Sequence, residues 1–291
     1  FVGGGYFRSK PGITQSLNLI MQLVIFAFAK AVCAKKIVAP ISFGPFAHAW
    51  QEKLVVKALR GLDLVSTREN YSYQTLKKYN LPNLIRSSDH ALLLKMKTPK
   101  KDKKRPLVLG FTFRNWLDKK RQAGFERNIS AAIQNFSIVS DVKIQPIVQV
   151  DAPQYGEDDA AVTKRISAQI KTYHLKVLTT KKIRSVQDAL NTYSDLDLLL
   201  GMRMHSNILA AICAVPFVAI SYEYKTEGIA SQLSMQKYCI KSEEVNQDTL
   251  SKLLCDISKN RKHVSARLID SVKKIQDIER ARWGNYLANI N

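Results

Sequence analysis

The sequence predicts an α/β protein built of two Rossmann-like lobes, each with a parallel sheet. Three observations predict it. Strand-like and helix-like patterns alternate from one end of the chain to the other, as in βαβ units that cover both faces of a sheet. A run at residues 95–105, KMKTPKKDKKR, breaks the alternation once; seven of its eleven residues are basic, which marks a lobe boundary. The length, 291 residues, leaves room for two domains with cores of their own.

The first lobe is expected over residues 1–98. Phe1-Val2 followed by Gly3-Gly4-Gly5 reads as a strand end entering a glycine loop, so a further N-terminal piece is expected before it. Glycines there let backbone approach backbone or ligand, which makes Gly4 and Gly5 candidate site positions. Residues 17–34 are strongly apolar, but Asn18, Gln22 and Lys30 interrupt them and the strand-like Ile37-Val38-Ala39 follows closely. A buried helix over 14–34 is therefore expected rather than a membrane span. A strand at 36–41, the loop Ser42-Phe43-Gly44-Pro45-Phe46, a helix at 48–60, a strand at 62–67 and a helix at 69–79 come next. A strand at 83–87 then leads to Ser88-Asp89-His90.

After the basic linker at 99–105, the second lobe runs over 106–291. Strands are expected at 106–112, 142–150, 175–179, 196–200, 216–220 and 237–241. Helices are expected at 121–136, 158–173, 185–193 with Ser185 as N-cap, 206–214, 226–234, 246–260 and 263–288. The final helix, with Trp283 and Tyr286, is expected to return to the first lobe. Ligands of such sheets bind beyond the carboxyl ends of the strands, so loops after strands and the cleft between two lobes are where a site is sought.

Composition narrows the function classes. The formal net charge is +21, and residues 1–98 hold 14 lysines and arginines against 4 acidic residues. Such a field attracts polyanions, anionic membrane or phosphorylated small molecules. No recognition helix, RRM, KH or zinc-finger signature accompanies it, so nucleic acid is not the expected partner. The basic linker is read either as solvated or as a contact with anionic lipid headgroups. Cys33, Cys213, Cys239 and Cys255 lie far apart, without metal spacing, and are expected as buried free thiols of a reducing, cytoplasmic compartment. Neither GxGxxG nor Walker A spacing occurs, so neither NAD nor ATP is expected. No GxSxG, HExxH or paired metal carboxylates occur either, and no metal site is predicted.

The sharpest segment is Leu198-Leu199-Leu200-Gly201-Met202-Arg203-Met204-His205-Ser206. A buried strand ends, a short turn presents Arg203 and His205, and a helix opens near Ser206. Its free N–H groups and dipole make an anion pocket, to which Arg203 adds a planar fork. His205 can donate a hydrogen bond or move a proton near neutral pH. The same residues also fit a plain structural role, with Arg203 paired to a carboxylate and His205 in the core. Arg114, after the second lobe's first strand, is a second arginine suited to a small donor carrying both phosphate and carboxylate. Glu223 and Lys225 follow another strand, and Asp89 follows the last strand of the first lobe; all three are weaker candidates.

Together these segments resemble the polysaccharide pyruvyl transferase family. The likeness runs in order through Gly3-Gly4-Gly5, Gly44-Pro45, Ser66-Thr67-Arg68-Glu69, Asp89 and Phe113-Arg114. It is strongest over Gly201-Met202-Arg203-Met204-His205, Ala210 to Pro216 and Tyr222-Glu223-Tyr224-Lys225. The resemblance implies a GT-B-like fold with an acceptor-side first lobe and a donor-binding second lobe. It implies transfer of the pyruvyl unit of phosphoenolpyruvate to a sugar hydroxyl of a cell-surface polysaccharide or its lipid-linked precursor. The donor would lie on Arg114, Arg203, Met204, His205 and Ser206, with His205 and Arg203 catalytic and no cofactor besides the donor substrate. A cytoplasmic enzyme at the inner face of the membrane is expected. Two other classes stay open, a nucleotide-sugar glycosyltransferase of GT-B architecture and a non-catalytic binding module for anionic glycan or nucleic acid.

Overall fold

The computed structural model describes residues 7–33, 35–98, 105–155 and 157–288. Gly4, Gly5 and residues 99–104 of the basic linker lie outside the described residues. The chain divides into two compact units, Phe1–Leu93 with Ile278–Asn291, and Leu94–Asp277.

The first unit runs α1 (Ile13–Val32), β1 (Ile37–Ile41), α2 (Ala49–Leu59), β2 (Leu64–Thr67), α3 (Asn70–Lys77) and β3 (Leu84–Arg86). The three strands pair in parallel in the order β1-β2-β3. Phe7, Leu23, Phe26, Val38, Ile41 and Val55 belong to one buried cluster, and the Phe7 ring meets Phe26 edge-on at 5.4 Å.

The expectation of a buried first helix is corrected here. α1 buries Leu19, Leu23 and Phe26, a stripe at helical spacing, while Ile13, Leu17, Met21, Val24, Phe28 and Val32 on its other side stay 55–81 % exposed. The reason is geometric: the helix carries apolar residues on two sides, and only the Leu19, Leu23 and Phe26 stripe meets the core of the first unit among the described residues.

The second unit continues with β4 (Leu107–Thr112), α4 (Lys119–Ile138), β5 (Val142–Val148), the short pair β6 (Asp151–Ala152) and β7 (Glu157–Asp158), and α5 (Asp159–Lys171). It goes on through β8 (Lys181–Lys182), α6 (Val186–Ser194), β9 (Leu198–Gly201), α7 (Met204–Ile212), β10 (Phe217–Ser221) and α8 (Tyr224–Gln232). β11 (Cys239–Lys241), α9 (Gln247–Lys259) and α10 (Arg261–Ala288) finish it. Six strands pair in parallel in the order β11-β10-β9-β4-β5-β8. β9 and β10 are buried throughout, which is why they read as unbroken apolar runs rather than alternating ones. Helix starts follow their caps: the Asp118, Ser185 and Asn246 side chains accept from the amides of Arg121, Asp188 and Thr249.

Three further expectations are corrected. Residues 175–179 form no strand; one bridge joins Ile144 to Val177, and the paired segment falls at Lys181–Lys182 instead. This is the sheet edge, where a ladder paired on one side only can stay short. α7 begins at Met204, two residues earlier than expected, because the Ser206 and Asn207 amides already bond to the Arg203 carbonyl. Of the four free cysteines Cys213 is buried, Cys239 and Cys255 are half-buried and Cys33 is exposed just past α1.

Candidate active site

In the second sheet the chain starts in the middle, at β4. It moves outward one way through β5 and β8, and the other way through β9, β10 and β11. The winding reverses between β4 and β9. Crevices at such a reversal, beyond the carboxyl ends, are where open α/β sheets bind ligands. Thr112 ends β4 and Gly201 ends β9, directly paired. Arg114 therefore follows one side of the reversal and Arg203 the other.

Gly201 is required there by close approach. A Cβ on it would sit well inside van der Waals contact of the Asn207 side chain, whose Nδ2 donates to the Gly201 carbonyl at 3.3 Å. Asn207 thereby ties the first turn of α7 to the end of β9. Arg203 is the N-cap residue of α7 in extended conformation, Met204 and His205 form its first turn, and Ser206 is fully buried behind them. Met204 is half-buried and His205 exposed.

Arg203 is held from below. Its Nε lies 3.2 and 3.1 Å from the two carboxylate oxygens of Asp159, and its Nη2 donates to the same group. The Asp159 side chain is fully buried, that of Arg203 11 % exposed. Asp159 opens α5 and also accepts from the Val150 amide at 3.0 Å. Burial raises its carboxyl above the ordinary range, opposed by the Arg203 hydrogen bonds and charge, the Val150 amide and the Arg114 charge. The buried Tyr193 hydroxyl donates to Gln149 at 2.8 Å; burial pushes it up, while Ser206 and Asp159 act on it in opposite directions.

Arg114 is half-buried and donates to the Tyr222 hydroxyl at 3.1 Å. Its guanidinium carbon stands 5.6 Å from the Trp116 ring centre and 5.0 Å from that of Tyr222, and the two rings are 4.6 Å apart. A cation held against two aromatic rings keeps its direction as well as its charge. Thr112 buries its hydroxyl without a hydrogen-bond partner among the described residues.

Glu223 occupies the N-cap position of α8, and Lys225, in the first turn of that helix, lies 3.8 Å from its carboxylate with only 9 % of its side chain exposed, so this pair stands where β10 passes into α8. Asp89 belongs to the first unit. Its carboxylate accepts from Arg68 at 2.7 Å and from the Ala91 amide at 3.0 Å, both beyond the strand ends of the first sheet.

The structure thus gathers Arg114, Arg203, Met204, His205, Ser206 and Glu223 along the carboxyl edge of one sheet, while Asp89 lies on the sheet of the other unit. Asp159, Trp116 and Tyr222 are contributors that sequence reasoning did not single out. The signal for Asp159 was present: of the adjacent acids opening α5, Asp158 serves as its N-cap, accepting from the Ala161 amide at 2.9 Å, which leaves the second acid for another task.

Comparison with solved structures gives the fold. A sucrose-phosphate synthase from Thermosynechococcus elongatus superposes with a TM-score of 0.58 at 13% identity, covering 97% of this chain and 80% of that one. An α,α-trehalose 6-phosphate synthase from Burkholderia multivorans gives 0.51 at 10%, covering 97% and 77%. A mutant O-GlcNAc transferase from Thermobaculum terrenum gives 0.53 at 13%, covering 94% of this chain; the chain spans 50% of that protein's length. At such identities the likeness shows the fold alone, an α/β fold of GT-B type with parallel sheets. The sequence itself matches the family described as polysaccharide pyruvyl transferase over residues 1–224, from the first residue through the loop after β10. That match takes in both sheets' principal strands and every residue of the arginine site, and by it the chain belongs to the polysaccharide pyruvyl transferase family.

Proposed function

We infer that this chain transfers the pyruvyl group of phosphoenolpyruvate to a saccharide hydroxyl of a polysaccharide or its lipid-linked precursor, on the cytoplasmic side of a membrane. One observation carries the reading: two guanidinium groups, Arg114 and Arg203, flank the winding reversal at the N-terminus of α7. The donor carries a phosphate and a carboxylate. Two planar forks and a helix N-terminus match that charge better than they match a neutral sugar. Asp159 and the Trp116–Tyr222 pair hold the forks in place before the donor arrives, so little is lost in ordering them.

In the reaction, a proton goes to the methylene carbon of the donor and leaves the central carbon electrophilic. A sugar hydroxyl adds there and gives up its proton, phosphate departs with the C–O bond electrons, and a second hydroxyl adds to the resulting cation and closes the ketal, its proton passing to the departed phosphate. Fixed positive charge from Arg203, Arg114 and the α7 amides stabilises the departing phosphate. His205, exposed on the first turn of α7, orients the donor and is the candidate for proton transfer, a role worth on the order of a hundredfold. The scheme requires no metal and no further cofactor.

The test is phosphate release from phosphoenolpyruvate with a panel of oligosaccharide and lipid-linked acceptors, beside calorimetric titration of the donor. Arg203→Lys and Arg114→Ala should each weaken donor binding by about tenfold or more without unfolding the protein, and His205→Ala should lower turnover. Donor binding unchanged in all three variants would place the pocket elsewhere. The GT-B likeness favours one rival, transfer from a nucleotide sugar. Titration of a nucleotide sugar beside phosphoenolpyruvate separates the two: the rival stands if only the nucleotide binds.

A further inference from the structure

We propose that the outward face of α1 docks on an anionic phospholipid bilayer, with the helix lying in the plane of the interface. Of the fifteen large apolar side chains standing well exposed among the described residues, eight lie on this one helix. Scattered apolar side chains need no explanation; a contiguous patch does. Ile13, Leu17, Met21, Val24, Phe28 and Val32 recur at intervals of three and four residues and share one arc. Thr14 is the polar interruption of that arc, and no acidic side chain occurs on the helix.

Length and composition would let α1 cross a bilayer. Its inner stripe argues for the surface instead: Leu19, Leu23 and Phe26 pack into the core of the first unit. The Lys30 ammonium is also tied to that unit, donating to the Ala58 carbonyl at 3.1 Å and to that of Arg60. A helix anchored along one side offers lipid only the other, which is the arrangement of an interfacial helix.

Charge selects the occupant. The first acidic residue of the chain is Glu52; before it stand Arg8, Lys10, Lys30, Lys35 and Lys36, at the two ends of α1. At the C-terminal end Lys30, Lys35 and Lys36 line a cavity of about 200 Å³ whose remaining wall includes Phe26, Ile37 and Leu62. Ammonium groups over an apolar wall, continuous with an apolar helix face, suit a phosphate headgroup above its acyl chains. A second copy of the chain on the same face would bring two clusters of three lysines together, each offset by the Asp63 carboxylate that accepts from the Lys36 amide at 2.6 Å, and the net like charge disfavours that pairing.

The experiment is sedimentation of the full chain with vesicles of phosphatidylcholine alone, or of equimolar phosphatidylcholine and phosphatidylglycerol. The chain should bind the anionic vesicles, and less so as salt rises. A Met21→Gln, Val24→Gln, Phe28→Gln triple variant should lower that binding by about tenfold or more. A Lys35→Glu, Lys36→Glu double variant should also weaken it and flatten its salt dependence. All five side chains point away from the core or lie at its rim, so both variants should melt like the parent. Equal binding of the parent to neutral and anionic vesicles would overturn the proposal, as would a triple variant that binds like the parent. A parent dimer dissolved by the triple variant, with no vesicle binding, would assign the face to a second copy. Resistance to alkaline carbonate extraction would make α1 a span.

Discussion

Asp159 is the residue on which the candidate site turns. Its carboxylate is fully buried and meets Arg203 through both oxygens. Two charges out of water are costly together and costlier apart, because removing one leaves the other without compensation. Asp159→Asn keeps the shape and deletes the charge, so it should destabilise the protein by about 3–5 kcal/mol, read as a lower denaturation midpoint at neutral pH. Arg203→Lys keeps a charge on both sides and should cost clearly less stability while still weakening the donor. That contrast separates the two duties of Arg203: a residue that is only half of a core ion pair would lose stability in both variants and donor binding in neither. Arg203 was legible from sequence because it follows an apolar run and precedes a helix. Its partner lies 44 residues upstream on another helix, and single-sequence periodicity carries no information on which acid would come beneath it.

Elements show the same division between local and distant causes. Ser185 was legible as an N-cap because the bond it makes, to the amide of Asp188 at 3.0 Å, is closed within three residues. β9 and β10 were legible because strands buried on both faces have to be apolar throughout. The segment at 175–179 reads as a strand yet meets a sheet edge, and α1 reads as buried because an apolar-rich helix says nothing of how many neighbours the fold will supply. The sequence pattern opens α7 near Ser206, whereas the helix begins two residues earlier, at Met204, with Arg203 as its N-cap residue. The β9–α7 junction allows a sharp test of how tightly this element is set. Gly201→Ala would drive a methyl group into Asn207, which anchors the first turn of α7. Overpacking of this kind costs about 1–3 kcal/mol. Because the displaced group is the turn that carries Met204 and His205, donor affinity should fall by more than the melt alone explains. Alanine at Gly124, inside α4 where an added Cβ would meet the Arg127 side chain at 3.8 Å, is the matched control: it should leave donor affinity unchanged and raise stability by about 0.5–1 kcal/mol.

At the scale of the whole molecule, the last helix decides what the first unit is. α10 contributes to both units, its residues through Asp277 to the second and those from Ile278 onward to the first. Within the first unit Glu279, only 2 % exposed, accepts from Ser87, from Trp283 at 3.2 Å and from Arg282. Trp283 sets its ring at 4.9 Å edge-on to His90, just after β3. The first unit is therefore completed by a segment nearly two hundred residues further along the chain. The hydrophobic period announced that helix; nothing local announced the partners of its final turns. His90 reports on this closure through pH. Burial lowers its imidazole below the ordinary value of 6.5, against the opposing pull of Glu279 and Asp89. The unfolded chain takes up the proton at the ordinary value and the folded chain only at lower pH. Linkage then fixes the sign: His90 does not penalise folding above pH 6.5, and stability is lost as pH falls from there through the folded-state value. His90→Phe retains a ring against Trp283 and removes the titration. In denaturation midpoints measured between about pH 7 and pH 5, the parent should lose stability on acidification and the variant should lose less. Parallel pH profiles for the two proteins would mean that the imidazole is as accessible to protons folded as unfolded, and that α10 does not seal it.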